Sequence, residues 1–286
     1  MHFEHAGAMP TAALAAVQTA EAQAARARAW LKRPPAPTLA INLRSAIRLF
    51  ESAGDGFLAA SRLRSAGSCY AAAGDAESRL DGCDLTAASL YSSAADAAVD
   101  EDPVVALQYR CRASEFFSRC GQHRAAAVQH LRAVHSLAGD HAWTESANHY
   151  TSASECYALI AEMQAAARCR AHAGDHLVTA DDLIGASSAY LAAAAFARDH
   201  NLAKYCAPGL VLDAVLCAVA RMDLSAARST VAASSAVDIL FAAGREQRFA
   251  LDLAESCAAG DAHKFMDHVW NFDSARMLRP VELRYA

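Results

Sequence analysis

Small residues recur about every twenty positions along the middle of the chain, and this recurrence constrains the fold more than any other feature. One step is long enough for a helix and a short turn. Small side chains let neighbouring helices approach closely, so the spacing predicts a series of packed helices. The centres are Ala88, Ala106, Ala126, Ala147, Ala166 and Ala186, at steps of 18, 20, 21, 19 and 20 residues.

Every second centre is followed by two aromatic residues, which doubles the repeat to a helix pair of about 40 residues from Ala87 to Ala197. A tetratricopeptide repeat is shorter, at about 34 residues. We therefore predict an all-α fold, a TPR-like helical-hairpin solenoid with a C-terminal helical cap. The aromatic pairs are Tyr109 and Phe116, Tyr150 and Tyr157, and Tyr190 and Phe196.

Changes in this pattern divide the chain into three predicted segments. Residues 1–37 hold a first helix, from Thr11 to Ala29, and a proline-rich loop. Residues 38–200 form the helical-repeat solenoid. Residues 201–286, where the period loosens, form a C-terminal helical bundle or cap, with helices predicted at 208–220, 224–234, 245–258 and 263–270.

Gly-Asp pairs are predicted to mark turns. Glycine can adopt the left-handed conformation that ends a helix, and aspartate can cap the next helix. A separate boundary is Asp102-Pro103, where Asp102 is the expected N-cap and proline the first helical residue. The Gly-Asp pairs occur at 54–55, 74–75, 139–140, 174–175 and 260–261.

Sequence patterns of enzymes and metal sites are missing from the chain. It has no Gly-rich phosphate loop, no G-x-S-x-G elbow and no H-E-x-x-H, and its nine cysteines form no C-x-x-C pair. His172 and His176 are four residues apart on a predicted helix, but the sequence implies no third ligand. We predict no enzymatic activity, no metal site and no cofactor.

Two further features argue against a membrane-spanning or nucleic-acid-binding protein. The longest apolar run, from Leu183 to Ala197, has 15 residues, fewer than the ~20 that cross a bilayer. The net charge of −5 argues against nucleic acid. Met1 to Ala20 contains no Lys or Arg, and the odd number of cysteines fits a reducing compartment, so we expect a cytoplasmic protein.

Charge is segregated along the sequence. Residues 103–135 contain five arginines and one acid, for a net +4, whereas residues 236–275 contain seven acids and three bases, for a net −4. Two partner surfaces would explain this pattern, and so would ordinary solvated helix faces.

Trp30 and Leu31, followed by Lys32 and Arg33, allow two interpretations. The apolar pair could enter a membrane interface, with the basic pair near anionic headgroups. Alternatively, Trp30 could pack the first helix onto the second.

Several stretches resemble the soluble NSF attachment proteins, the α-SNAP-like family. The similarity lies in Thr86-Ala-Ala-Ser-Leu-Tyr91 followed by Asp102-Pro-Val-Val-Ala-Leu107, in Leu202-Ala-Lys-Tyr205 with Ala214-Val-Leu-Cys217 and Leu224-Ser-Ala226, and in Phe272-Asp-Ser274. Their order and spacing hold from about Ala46 to Leu283.

The resemblance implies an adaptor without chemistry of its own. Such a protein binds the four-helix SNARE bundle and recruits the hexameric ATPase NSF for SNARE disassembly in vesicle trafficking and membrane fusion. It would be cytoplasmic and peripherally associated with membranes. The basic middle would then face the SNARE bundle, and the acidic end would face NSF.

The resemblance also suggests site residues. SNARE binding falls to Arg124, Arg168, His172 and Lys204, transient membrane contact to Trp30 and Leu31, and NSF binding to Asp261, Asp267, Asp273 and Leu283. Val128 and Pro208 stand where the family has lysine. An alternative function is therefore a generic TPR-like protein-interaction scaffold without a SNARE role.

Overall fold

The computed structural model describes residues 11–32, 39–80, 84–137 and 142–275. The regular structure within these ranges is helical, as the alanine-rich repeat predicts. Residue contacts divide the chain into two compact units, Met1–Gly139 (unit 1) and Asp140–Ala286 (unit 2). The division into segments 1–37, 38–200 and 201–286 follows the sequence pattern rather than these contacts and stays a prediction.

Unit 1 is a series of helices in which each packs on the next. Turns of a few residues reverse the chain within the described pairs, so neighbouring helices run antiparallel. The predicted small-residue centres Ala88, Ala106 and Ala126 are fully buried between the helices. The helices are α1 (Thr11–Leu31), α2 (Leu39–Ala59), α3 (Leu63–Glu77), α4 (Asp84–Ala98), α5 (Pro103–Arg119) and α6 (His123–Leu137).

Unit 2 begins with the same stacking and ends in a helical cap. A 3₁₀ turn, Ala203–Cys206, leads into α10. That helix contacts α9, α11 and α13 and is buried along almost its whole length. The helices are α7 (Trp143–Leu159), α8 (Met163–Thr179), α9 (Leu183–Arg198), α10 (Ala207–Ala220), α11 (Leu224–Val237), α12 (Ile239–Ala242), α13 (Arg245–Ala259) and α14 (Ala262–Ala275).

The helix starts confirm the repeat and extend it. Helices α3, α5, α7 and α9 begin at residues 63, 103, 143 and 183, at intervals of 40 residues. The period therefore begins before Ala87, at Leu63. Asp102 accepts a hydrogen bond from the Val105 amide (3.2 Å) as the predicted N-cap of α5. The chain is thus an all-α helical-hairpin fold.

Three of the predicted Gly-Asp turns are wrong. Gly54-Asp55, Gly74-Asp75 and Gly174-Asp175 lie inside α2, α3 and α8. Gly260-Asp261 is a turn as predicted, because Gly260 is left-handed (φ 65°) and ends α13. The pair at 139–140 lies outside the described residues.

The three internal pairs instead form a recurring contact with the following helix, which we call the Gly-Asp-Tyr clamp. The glycine allows a tyrosine ring to lie against the backbone, and the aspartate accepts the hydrogen bond that the tyrosine hydroxyl donates. Burial and the bond to Asp75 raise the pKa of Tyr91 to about 12, so this hydroxyl keeps its proton at neutral pH. The bonds are Tyr70 to Asp55 (2.6 Å), Tyr91 to Asp75 (2.5 Å) and Tyr190 to Asp175 (2.8 Å).

The prediction of the longest apolar stretch also needs correction. Ala203–Ala220 is long and apolar enough to cross a membrane by length and composition, unlike Leu183–Ala197. Of this stretch, 78% is buried within the protein. The 3₁₀ turn Ala203–Cys206 continues directly into α10. The helical stretch is therefore longer than the helix predicted to begin at Pro208. The burial identifies this stretch as a core helix of unit 2.

Candidate functional site

Most of the basic middle is neutralised inside unit 1. Four of its five arginines reach back to aspartates on α3 and α4, the helices that precede them. These carboxylates lie outside residues 103–135, so the net charge of that segment overstates the positive charge of the surface. The pairs are Arg110 with Asp96 (3.1 Å), Arg112 with Asp75 (3.0 Å), Arg119 with Asp84 (3.0 Å) and Arg132 with Asp96 (3.2 Å).

Arg110 is the most deeply placed of these arginines, with 5% of its surface exposed. Its guanidinium also donates to the Gln129 side chain (3.5 Å). Burial lowers the pKa of Arg110, and the Asp96 carboxylate opposes that effect. Arg110 is therefore a structural cation that holds α5 against α4 and α6.

The fifth arginine, Arg124, lies on the exposed surface of α6 near its start. It is the one predicted SNARE-binding residue in unit 1. The other three, Arg168, His172 and Lys204, lie in unit 2.

Arg168 and His172 lie one turn apart on the exposed side of α8. At this spacing their side chains are neighbours on one helix face. No carboxylate among the described residues pairs with Arg168. His172 Nδ1 is 3.6 Å from Asp175, and its ring is 5.4 Å from the Tyr150 ring. The structure thus brings two of the predicted residues together.

Lys204 lies apart from this helix face in sequence, in the 3₁₀ turn between α9 and α10. It is half-buried, and its ammonium is 5.3 Å from the centre of the neighbouring Tyr205 ring. This cation–π contact holds the charge close to an exposed aromatic side chain.

Two histidines beside the α8 face are partly or fully buried. Burial lowers the pKa of both His149 and His176 below the ordinary 6.5. Edge contacts with the rings of Trp143 (5.3 Å) and Tyr150 (5.2 Å) surround His176. Burial has the largest effect on both imidazoles. Glu145 raises the pKa of His149. Asp175 raises the pKa of His176, and His172 lowers it.

These histidines predict a loss of stability in acid. In the unfolded chain these imidazoles bind protons with a pKa near 6.5, whereas in the folded protein they bind protons only at lower pH. The stability that the neutral imidazoles contribute is therefore fully present above pH 6.5 and declines as the pH falls below it. We expect a melting temperature about 3 °C lower at pH 5.5 than at pH 7.5 from these two groups. Thermal unfolding followed by circular dichroism at both pH values measures this difference.

Substitutions test whether His149 and His176 cause the difference in melting temperature between the two pH values. His149→Gln and His176→Phe should each reduce the difference between the two melting temperatures. His135→Gln, at an exposed histidine of α6, should leave it unchanged. Equal melting temperatures of the unsubstituted protein at both pH values would contradict the prediction.

The predicted NSF-binding aspartates have different environments. Asp261 caps α14, where its carboxylate accepts the Lys264 amide (3.0 Å) and lies 3.4 Å from the Lys264 ammonium. The hydrogen bond from that amide lowers the pKa of Asp261. Asp267 is exposed on α14 and Asp273 is half-buried in its last turn. Leu283 lies outside the described residues.

Trp30 and Leu31 form the last turn of α1 and pack, partly buried, against the core of unit 1. This contact favours the interpretation in which Trp30 joins the first helix to the second. The membrane role of these two residues stays a prediction. The proline-rich loop that follows, with Arg33, lies outside the described residues.

Helix α14 exposes two large apolar residues that the sequence analysis did not single out. Trp270 is 75% exposed and Met266 lies one turn before it, also exposed. On the other side of α14, Phe272 is buried and stacks on Phe249 of α13 (ring centres 4.1 Å apart). The spacing of residues 266 and 270 could have indicated an outward face once Phe272 had been assigned to the core.

Metal ligands do not converge in the described ranges, where no group of three His, Cys, Asp or Glu side chains could hold an ion. His172 and His176 each contact Tyr150 instead.

Comparison with known proteins places the whole repeat in one family. The model of the family described as "Soluble NSF attachment protein, SNAP" matches residues 37–283. The "Probable vesicular-fusion protein sec17 homolog" of Schizosaccharomyces pombe is 28% identical over 240 residues, which cover 82% of this chain and 81% of that protein. A crystal structure of BtubC (BKLC) from P. vanneervenii aligns over 88% of this chain and 92% of that one, at 15% identity and a TM-score of 0.36. The family model spans most of the chain, and the chain therefore belongs to the soluble NSF attachment protein (SNAP) family.

Proposed function

We propose that this protein is an adaptor that binds SNARE complexes and recruits the ATPase NSF for their disassembly during vesicle trafficking and membrane fusion. Membership of the SNAP family supports this role, and so does the name of the fission-yeast relative, a vesicular-fusion protein. The adaptor would work in the cytoplasm, in transient contact with membranes. It would carry out no catalysis itself.

The observation that carries the proposal is the exposed face of α8. Arg168 is exposed there and has no ion pair with a described residue, so its charge remains available to an acidic partner. This distinguishes it from the arginines of α5, whose charges are matched within unit 1. His172 extends the same face and adds positive charge when it is protonated.

Arg168→Glu is expected to weaken binding to an assembled SNARE complex about tenfold, because a charge reversal turns an attraction into a repulsion. Binding of the unsubstituted protein should also fall as salt rises, since the contact is electrostatic. Pulldown or interferometry with a purified SNARE complex at two salt concentrations measures both effects.

Arg228→Glu is the matched control. Arg228 is exposed on α11 and, like Arg168, has no ion pair within the described ranges. The Arg228→Glu variant should bind the SNARE complex as the unsubstituted protein does. Circular dichroism should show that both variants are folded. Equal loss in the two variants would indicate a general charge effect and would count against a specific α8 surface.

The acidic part of α14 is our candidate for the ATPase contact. Asp267 is exposed, and Asp261 and Asp273 lie at the two ends of the same helix. Together with Leu283 they would present negative charge and an apolar side chain to NSF. Co-sedimentation of NSF with the adaptor-bound SNARE complex tests this step.

A scaffold without a SNARE role is the second candidate, and the ion pairs of unit 1 favour it. They remove most of the positive surface that the basic middle would otherwise offer. If the folded protein binds no SNARE complex at low or high salt, that result would favour the scaffold function.

A further inference from the structure

Exposed apolar side chains lie at the turns that follow α7, α9 and α11 in unit 2. No described helix covers these side chains. Isolated exposed leucines are ordinary, but several at related positions on one domain call for an explanation. The side chains are Leu159, Leu202, Tyr205, Val237 and Ile239, with Leu202 73% and Ile239 84% exposed.

The antiparallel packing places these turns at the same end of unit 2. Helices α7, α9 and α11 alternate with α8 and α10, and each joins its neighbour through a short turn. The first, third and fifth helices of such a series run in one direction, so their C-terminal ends lie together. We call this end of unit 2 the apolar end.

Trp270 belongs to the same end. It lies in the last turns of α14, where Asn271 and Phe272 line a cavity of about 260 Å³ with Arg245 and Phe249 from the first turns of α13. Helix α13 begins three residues after α12, which holds Ile239. The exposed indole is therefore near the connection that follows α11.

The charges at the apolar end favour an anionic partner. Two acids at this end lie beside cations: the exposed Asp199 is 3.9 Å from Arg198, and the partly buried Glu246 is 3.7 Å from Arg245. Lys204 and Arg248 have no carboxylate partner among the described residues.

We propose that the apolar end docks on the interface of a lipid bilayer that contains anionic headgroups. Its apolar side chains protrude from separate turns rather than line a groove, which suits a fluid surface better than a folded partner. Tyr205 and Trp270 are the residue types that favour the boundary between headgroups and acyl chains. Lys204 and Arg248 would lie at headgroup level.

The apolar side chains of this contact are not used by the proposed SNARE and ATPase contacts, and only Lys204 is also a predicted SNARE-binding residue. The contact is also separate from Trp30 and Leu31, whose side chains pack on the core of unit 1. The experiment therefore uses the full chain and vesicles that contain neither SNAREs nor NSF, so its outcome does not depend on the adaptor role.

Flotation with phosphatidylcholine vesicles, with and without about one third phosphatidylserine, is the test. The unsubstituted protein should float with the anionic vesicles, and Leu202→Ser/Ile239→Ser should reduce the bound fraction about tenfold. Lys204→Gln/Arg248→Gln should reduce binding to anionic vesicles only.

The opposite end of unit 2 supplies the control. Ile184 and Met222 are 63% and 64% exposed at the turns before α9 and α11. Ile184→Ser/Met222→Ser should bind vesicles as the unsubstituted protein does, and all three variants should keep its circular dichroism spectrum. The proposal is overturned if the protein does not float, if both serine variants lose binding equally, or if the Leu202/Ile239 substitutions abolish self-association or protein binding without affecting flotation.

Discussion

Gly174→Ala is expected to destabilise the protein by about 2 kcal/mol, although alanine is a better helix former than glycine. A Cβ atom at this position would lie 2.6 Å from a ring carbon of Tyr190, a side chain with no exposed surface. The buried ring cannot withdraw without disturbing α9, so the clash outweighs the ~1 kcal/mol gained in helix propensity. Urea unfolding followed by circular dichroism gives the change in free energy of unfolding.

The same substitution in a Tyr190→Leu variant tests whether the Gly-Asp-Tyr clamp causes the destabilisation. Tyr190→Leu alone should be destabilising, because it removes the ring and the hydroxyl that donates to Asp175. Adding Gly174→Ala to Tyr190→Leu should then be neutral or stabilising, since only the helix propensity remains. If Gly174→Ala costs the same in both backgrounds, the clash with Tyr190 is not its cause.

Asp96→Ala is expected to cost about 2 kcal/mol, because it leaves the buried Arg110 guanidinium without its carboxylate. Asp96 is itself half-exposed, so water relieves part of the penalty that a wholly buried pair would suffer. The same denaturation measurement detects the loss.

Arg132→Ala is the control for this substitution. Arg132 pairs with the same carboxylate at 3.2 Å, but it is half-exposed, and an exposed pair contributes only about 0.5 kcal/mol. The variant should therefore be nearly as stable as the unsubstituted protein. Similar losses for Asp96→Ala and Arg132→Ala would show that burial of Arg110 is not the source of the effect.

The helices were predictable because they depend on local pattern. The 40-residue interval follows from small residues and aromatics at fixed spacing, and the starts of α5, α7 and α9 reproduce it. The first helix was predicted to end near Ala29 and ends at Leu31. Helix α12 was missed, since four residues between Asp238 and Ala243 are too short for a periodic signal.

Contacts between helices were not predictable from composition. A Gly-Asp pair has the same local preferences at the end of α13 as inside α8, and only the tyrosine of the following helix decides between a turn and a clamp. The arginines of α5 resembled a binding surface because their partners lie on other helices. Their carboxylates lie on α3 and α4, outside the window in which the charge was counted.

The candidate site was predictable only where it depends on helix spacing. Arg168 and His172 share a face because they are four residues apart on α8. Lys204 and Arg124 lie on other elements, and Met266 and Trp270 are exposed because α14 packs through Phe272 instead. These assignments depend on the order in which helices pack, which the sequence does not state locally.

The Gly-Asp-Tyr clamps also have a consequence for how the chain folds. Each one joins residues only 15 or 16 positions apart, as the bonds from Tyr70, Tyr91 and Tyr190 show. Contacts of such short range cost little loop entropy, which favours fast formation of each clamp as a new helix packs on the one before it. During synthesis, a helix pair can therefore complete its clamp before the later helices have left the ribosome.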